Sequence, residues 1–586
     1  MTLGKLAYIE EYLGASNAAT GSKFDANANV TSKNICTLQG ELFKKEFIQI
    51  NRAMMHRKIS DLFDSALADE YIRQLESHEI YAHDETSLSP YCASITMYPF
   101  LLDGLVKLGG ESKAPRHLAS FCGSFINLVF AVSSQFAGAV ATVEFLAYFD
   151  HFARKDYGDD YLNTHSEVID ACLQQVVYSL NQPAAARNYQ SVFWNISIYD
   201  EHYFDSLLGE LVFPETYDKC KWSSIKTLQD YFLTWFNKER EKAVLTFPVV
   251  TAAMLVSDGK PVDEDFARMC ARQMAEGSSF FVYQSESADS LASCCRLRNE
   301  FTDNTFSYSL GAGGVSTGSS NVITVNMNRL VQNNVDLRNQ IDKIHKYQVA
   351  HRSIMEDFQD AGLLPVYDAG FISFSKQFLT IGINGMAEAA ESKGIKVGNN
   401  QEYLDFVSEH LKVIYDANKE AKTKYGYMFN TEFVPAENLG VKNAQWDKED
   451  GLTVPRDCYN SYFYIVEDET INVVDKFVLH GKEATQYLDG GSALHLNLDE
   501  KLTEEGYYKL FCLSAKTGCN YFCINVKITI CNSCNHIDKT TRHSCFKCGS
   551  SDIDYGTRVI GYLKRVSAFS EARQREHDLR HYHIKK

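Results

Sequence analysis

The chain has 586 residues, 45% of them hydrophobic, which is ample material for a large buried core. A formal net charge of −17 and a pI near 5.5 argue against a general nucleic-acid binder, so any phosphate-bearing ligand must be caught locally, by loops or helix ends. Sixteen cysteines without a leader-like opening segment fit reduced thiols in the cytoplasm better than a secreted disulfide framework.

Met1–Tyr12 reads as a short amphipathic start, and the Gly/Ser/Asn-rich patch Gly14–Lys33 as an extended arm or loop. Residues 1–50 are therefore set apart as an N-terminal arm. From Lys58 to Phe236 the pattern is mostly helical, with apolar residues three and four apart in Ile59–Leu75 and Ser166–Leu180. The most apolar stretch, Phe121–Phe149, carries Ser124, Asn127, Ser133, Ser134, Gln135 and Glu144. That polarity predicts a buried helix, not a membrane span.

Ser191–Ile198 and Thr246–Met254 look like buried strands. A loop rich in Gly and small polar residues is expected over Gly311–Asn321, then a strand at Val322–Met327 and a long helix over Asn328–Phe358. Alternation of strand-like and helix-like runs predicts an α/β architecture for residues 51–520. The composition shifts near Tyr521. Five cysteines, a Gly-containing loop and a polar helix rich in Arg and Glu follow, so residues 521–586 read as a separate C-terminal module.

Within that module Cys531 and Cys534 form one C-x2-C pair, and Cys545 and Cys548 form another. Two such pairs can present four thiolates tetrahedrally, which suits zinc. Four sulfurs leave no open position for catalysis, so the metal is expected to be structural. A zinc ribbon that binds nucleic acid is the alternative; the few basic residues nearby, Lys539, Arg542 and Lys547, speak against it.

Directly after the cysteines stands Tyr555-Gly-Thr-Arg-Val-Ile-Gly561-Tyr-Leu. It resembles the glycyl-radical loop of anaerobic, class III ribonucleotide reductases, and a four-cysteine zinc site just ahead of the loop is also that family's feature. Tyr81-Ala-His83-Asp84 with Pro90-Tyr-Cys92, Gln190–Ser197, Thr246-Phe-Pro248, Cys294-Cys295-Arg296-Leu297-Arg298, Phe378–Gly385 and Gly490–His495 resemble further family segments. The resemblance implies a ten-stranded α/β barrel with a finger loop through its centre. It also implies anaerobic reduction of ribonucleoside triphosphates to deoxyribonucleotides by glycyl and thiyl radicals, and makes Gly561 the radical store and Cys295 the radical-bearing thiol.

Removing the 3′ hydrogen of a ribonucleotide suits a sulfur radical, because S–H and activated C–H bonds are similar in strength. Cys295, directly before Arg296, matches the family pattern; Cys294 is the adjacent rival. A glycine α-carbon can store the radical because it delocalises over both flanking amides. Gly556 is the rival to Gly561, with a plain turn as its alternative role.

By resemblance, Cys92 is a second thiol on the other face of the ribose. His83, Asn195, Ser319, Ser320 and Asn321 are candidate substrate contacts. The resemblance further implies formate as reductant, a homodimer, deoxynucleotide and ATP effectors, and a separate radical S-adenosylmethionine activase. The polarity of Phe121–Phe149 and the net acidity predict no membrane and no direct nucleic-acid partner. The chain departs from some members at Ser293, where they have Met, and at Ser319, where they have Asn. Its first family-like motif begins near residue 80, which leaves no place for a full N-terminal ATP cone. The enzymatic rivals are other glycyl-radical enzymes, of the formate-lyase or dehydratase type.

Overall fold

The computed structural model describes residues 2–22, 33–183, 191–288, 290–292, 298–300, 315–433, 438–558 and 562–583. Ten strands build its centre: β1 (Cys92–Ser94), β2 (Val140–Ala141), β3 (Trp194–Tyr199), β4 (Val249–Ser257), β5 (Phe281–Ser285), β6 (Thr317–Asn326), β7 (Gln377–Asn384), β8 (Met428–Phe433), β9 (Leu494–Leu498) and β10 (Tyr521–Val526). β1 to β5 are parallel neighbours in chain order. So are β6, β7 and β8, and so are β9 and β10. The first group meets the other two antiparallel, at β6–β1 and at β10–β5.

The sheet also closes. The Phe433 amide donates to the Gly491 carbonyl at 3.1 Å and the Gly490 amide to the Thr431 carbonyl at 2.9 Å, a parallel bridge that joins β8 to the segment entering β9. Ten strands thus form a barrel of two five-stranded halves, and closure removes the open edges. Parallel strands need crossover connections. A long helix, α1 (Ile35–Leu62), precedes β1; helices after it supply the crossovers, among them α2 (Leu118–Ser133), α3 (Ser166–Asn181), α4 (Trp222–Glu239), α5 (Glu264–Ala275), α6 (Leu337–Asp360), α7 (Gln401–Tyr425) and α8 (Glu504–Thr517).

The apolar stretch at Phe121–Phe149 is core, as expected, but it breaks into α2, β2 and the start of a second helix, Phe145–Tyr157. Phe121, Phe125, Phe145 and Phe152 stack on one another, and Trp194 of β3 meets Phe145 edge-on at 5.2 Å. Each such buried ring contributes about 1.5–3 kcal/mol over exposure. Among the described residues no helix is long and apolar enough to cross a membrane.

The structure corrects three boundaries. Residues 1–50 are not a separate arm, because α1 runs unbroken through position 50 after Asn34 and Thr37 cap it reciprocally. The barrel does not end at 520: Tyr521–Val526 is a strand that pairs parallel with β9, so the C-terminal module begins after it. The expected helix 328–358 is two, split at Asn334, whose φ of 51° cannot continue a right-handed helix. Beyond β10 lies a small antiparallel sheet of β11 (Ile528–Cys531), β12 (Ile537–Asp538), β13 (Ile553–Thr557) and β14 (Lys564–Arg565), followed by α9 (Glu571–Leu579).

Candidate active site

Register decides what faces the lumen. Trp194 packs outward on α2, so its neighbours Asn195, Ser197 and Tyr199 face inward. Asn195 pairs with Ala141, and Ala141 with Ser94, which carries the inward face to Cys92 two residues away. Cys92 lies opposite Ser319 across the antiparallel β1–β6 contact. Gly318 permits that contact: a methyl there would sit 2.3 Å from the Cys92 carbonyl. Cys92 is 2% exposed, and Gln377 donates to its carbonyl at 3.0 Å.

Ser319 shares a 2.7 Å hydrogen bond with Thr380 of β7, and Thr380 is in register with Asn430 of β8. Asn430 is fully buried, and neither polar atom of its side chain has a partner among the described residues. Buried amides are normally satisfied, so Asn430 marks a place where a ligand or water belongs. Cys92, Ser319, Thr380 and Asn430 therefore form one polar row across four strands. Thr380 and Asn430 were not singled out in the sequence. The signal was present: Thr380, Gly382 and Asn384 alternate with apolar residues along β7.

Ser320 and Asn321 do not join that row. The register shifts between Ser319 and Asn321, a β-bulge that turns the next residues to the outer side. The Ser320 hydroxyl accepts from Arg352 of α6 at 3.2 Å. Ser320, Asn321 and His83 line a cleft with His351 of α6, and His83 shares a 2.8 Å hydrogen bond with Thr324. Thr317–Asn321, expected as loop, is strand. Asn195 is buried in the lumen, its amide donating to the Phe193 carbonyl at 3.3 Å.

Cys294, Cys295 and Gly561 lie outside the described residues. The chain that frames them is described. Ala292 pairs with Arg298 in a short antiparallel ribbon between β5 and β6, which brackets residues 293–297. β13 and β14 form a hairpin that brackets Gly561. Ahead of it, Arg558 is 1% exposed, with its guanidinium on Ser279 and over the Phe281 ring. The Arg558 carbonyl accepts from Asn525 and from Arg580, each at 3.2 Å. Behind it, the Tyr562 ring stands edge-on to Phe193 at 4.9 Å and lies 5.8 Å from Phe247. Phe193 precedes β3 and Phe247 lies two residues before β4, so the hairpin enters at the end of the barrel where those strands begin. Gly556 is no turn residue; it sits in β13, packed close against Ile528.

The four cysteines of the ribbon converge. Their sulfurs all lie within 4.8 Å of one another, with Cys531–Cys548 and Cys534–Cys545 at 3.6 Å. A zinc–sulfur length of about 2.3 Å gives sulfur separations of about 3.8 Å in a tetrahedron, so the set fits zinc. Each knuckle closes the same way. The Asn535 amide returns to the Cys531 carbonyl and the Gly549 amide to the Cys545 carbonyl, both residues having positive φ.

A family model for anaerobic ribonucleoside-triphosphate reductase matches residues 42–583. The chain belongs to that family. Members are oxidoreductases, and the solved structures agree. An anaerobic ribonucleotide reductase superposes with a TM-score of 0.84 at 29% identity, over 94% of this chain and 90% of that one. The Thermotoga maritima enzyme with dATP bound in the specificity site gives 0.82 at 29% identity, over 92% of each chain. The same enzyme in complex with dATP and CTP gives 0.82 at 29%, over 93% of this chain and 92% of that one. None of the curated protein sequences matches.

Proposed function

We propose that this reductase converts ribonucleoside triphosphates to deoxyribonucleotides anaerobically in the cytoplasm, with formate as external reductant. A separate radical S-adenosylmethionine activase would generate a radical on Gly561, and Cys295 would take it up and remove the 3′ hydrogen of the ribose. Cys92 would donate a hydrogen atom from the opposite wall, with Ser319 and Asn195 contacting the sugar. Ser320, Asn321 and His83 would act from the cleft behind that wall. The enzyme would work as a homodimer under deoxynucleotide or ATP control; dATP and CTP in the similar Thermotoga maritima structure support nucleotide effectors and substrates.

One observation carries this reading. Arg558 and Tyr562, the nearest described residues on either side of Gly561 in the sequence, are buried at one end of a closed barrel whose lumen carries Cys92. Anaerobic assay of activated enzyme with each of the four ribonucleotides tests it, with formate and a dithiol protein as alternative reductants. Deoxynucleotide formation that needs formate is expected. Turnover with the dithiol alone would transfer the reductant role, and no turnover with either would overturn the reading.

The four-cysteine ribbon would hold one structural zinc. Metal analysis should find about one equivalent per chain, and Cys545→Ser should lower it and loosen the β11–β14 sheet. A zinc-free chain that keeps this sheet and still acquires a radical would refute the structural role.

A further inference from the structure

A small cleft, with a cavity volume of about 40 Å³, opens between the ends of α4 and α5, the end of β10 and the C-terminal sheet. Its walls include Arg240, Lys501, Lys539 and Ser279, with Leu563 beside the hairpin. None of the described residues lining it is acidic, although the whole chain carries −17. Lys539 is paired with Glu241. Arg240 is not paired with any carboxylate among the described residues. It is 8% exposed, stacks on Phe236, and gives Nε to the Leu245 carbonyl and Nη1 to the Ser279 carbonyl. Its Nη2 has no partner among the described residues.

A second buried cation shares the same anchor. Arg558 donates Nη2 to the Ser279 carbonyl at 3.1 Å, and Arg240 donates Nη1 to it at 3.0 Å. The Arg558 Nε is buried without a partner among the described residues. Two guanidinium groups thus meet on one carbonyl oxygen with no acid between them. Burial, with Arg558 next in size, pulls Arg240 down to about 9. Buried charges are ordinarily paired. Among the described residues no protein anion faces this pair, and an open cleft leads to the place where one would sit.

We propose that this cleft binds a small oxyanion, a carboxylate or a phosphate, through Arg240 with help from Lys501. Its occupation would hold Ser279 and Arg558, and so stiffen the root of the hairpin that brackets Gly561. The role at the hairpin rests on the radical reading above; the binding does not. Arg guanidinium suits the task because its planar donors match the oxygens of such anions.

The test uses the full-length, unactivated chain with its metal. Inorganic phosphate and sodium formate are titrated separately by calorimetry, with sodium chloride at matched ionic strength as control. Amide hydrogen exchange over residues 553–565 is followed in parallel. Saturable binding of one anion per chain is expected in at least one arm, with slower exchange in the hairpin; the arm that saturates identifies the class. Arg240→Gln should weaken it about 10- to 100-fold, the loss for a charge-assisted hydrogen bond. Lys501 is partly exposed, so Lys501→Gln should fold normally and weaken binding less. Heat that follows ionic strength alone overturns the site, and so does affinity unchanged in both variants. Because no radical is needed, failure here leaves the reductase reading intact.

Discussion

Cys295→Ser is expected to abolish nucleotide reduction while leaving the glycyl radical in place. Activation would act on Gly561, so the variant should still show a doublet in electron paramagnetic resonance. The splitting comes from the single remaining α-hydrogen, and deuterated glycine should collapse it. A serine O–H bond is too strong to be an exchange partner for the 3′ hydrogen, so turnover should fall below detection. Gly561→Ala should remove both signal and turnover. The fold should survive it, because the hairpin is fixed by flanking residues: Thr557 and Gly556 pair with Lys564 and Arg565, and Tyr562 is wedged between Phe193 and Phe247. A Cys295→Ser enzyme with normal turnover would sink the assignment. So would a doublet that persists in Gly561→Ala.

Local spacing carried much of this. Cys531, Cys534, Cys545 and Cys548 were legible because a C-x2-C knuckle is a short-range geometry, complete within each pair. The strands Trp194–Tyr199 and Val249–Ser257 were legible from continuous apolar runs. The ten-stranded barrel was expected from the family resemblance and not from local spacing, since the Phe433–Gly491 and Thr431–Gly490 hydrogen bonds that close it join residues almost sixty apart. Residues Ser319, Ser320 and Asn321 read as one polar group. One bulge separates them, leaving Ser319 beside Thr380 and sending Ser320 to Arg352. A bulge has no reliable side-chain signature, and Gly318 was its only local hint. The end of the barrel was misplaced for a similar reason: the cysteines that begin at Cys523 share a composition, but Cys523 lies in β10 and Cys531 in the ribbon.

Glu576→Gln should have the largest effect of any substitution outside the proposed radical path. Glu576 of α9 is 8% exposed and lies between Arg573 and Arg580, each of them also buried. It accepts from Arg573 at 3.2 Å and from Arg580 through both oxygens. Those two cations are the main reason its carboxyl lies below the usual glutamate range despite burial. Removing the negative charge leaves two buried guanidinium groups facing each other, which costs about 3–5 kcal/mol. The loss should be local at first. Arg580 also donates to the Arg558 carbonyl, and His583 exchanges hydrogen bonds with Asn497 and Asp499 at the end of β9, so the same tail holds both the barrel and the root of the hairpin. Limited proteolysis should therefore open residues 571–583 before the barrel, and the radical yield after activation should fall with it. The pH dependence has a definite sign. A lowered carboxylate pKa gives stability that is present above the unfolded value near 4.5 and is lost as pH falls through the lower folded value. Acid should release the tail of the wild type in that window, while Glu576→Gln should be released already at neutral pH. An unchanged tail in the variant at neutral pH would show that Glu576 does not hold it.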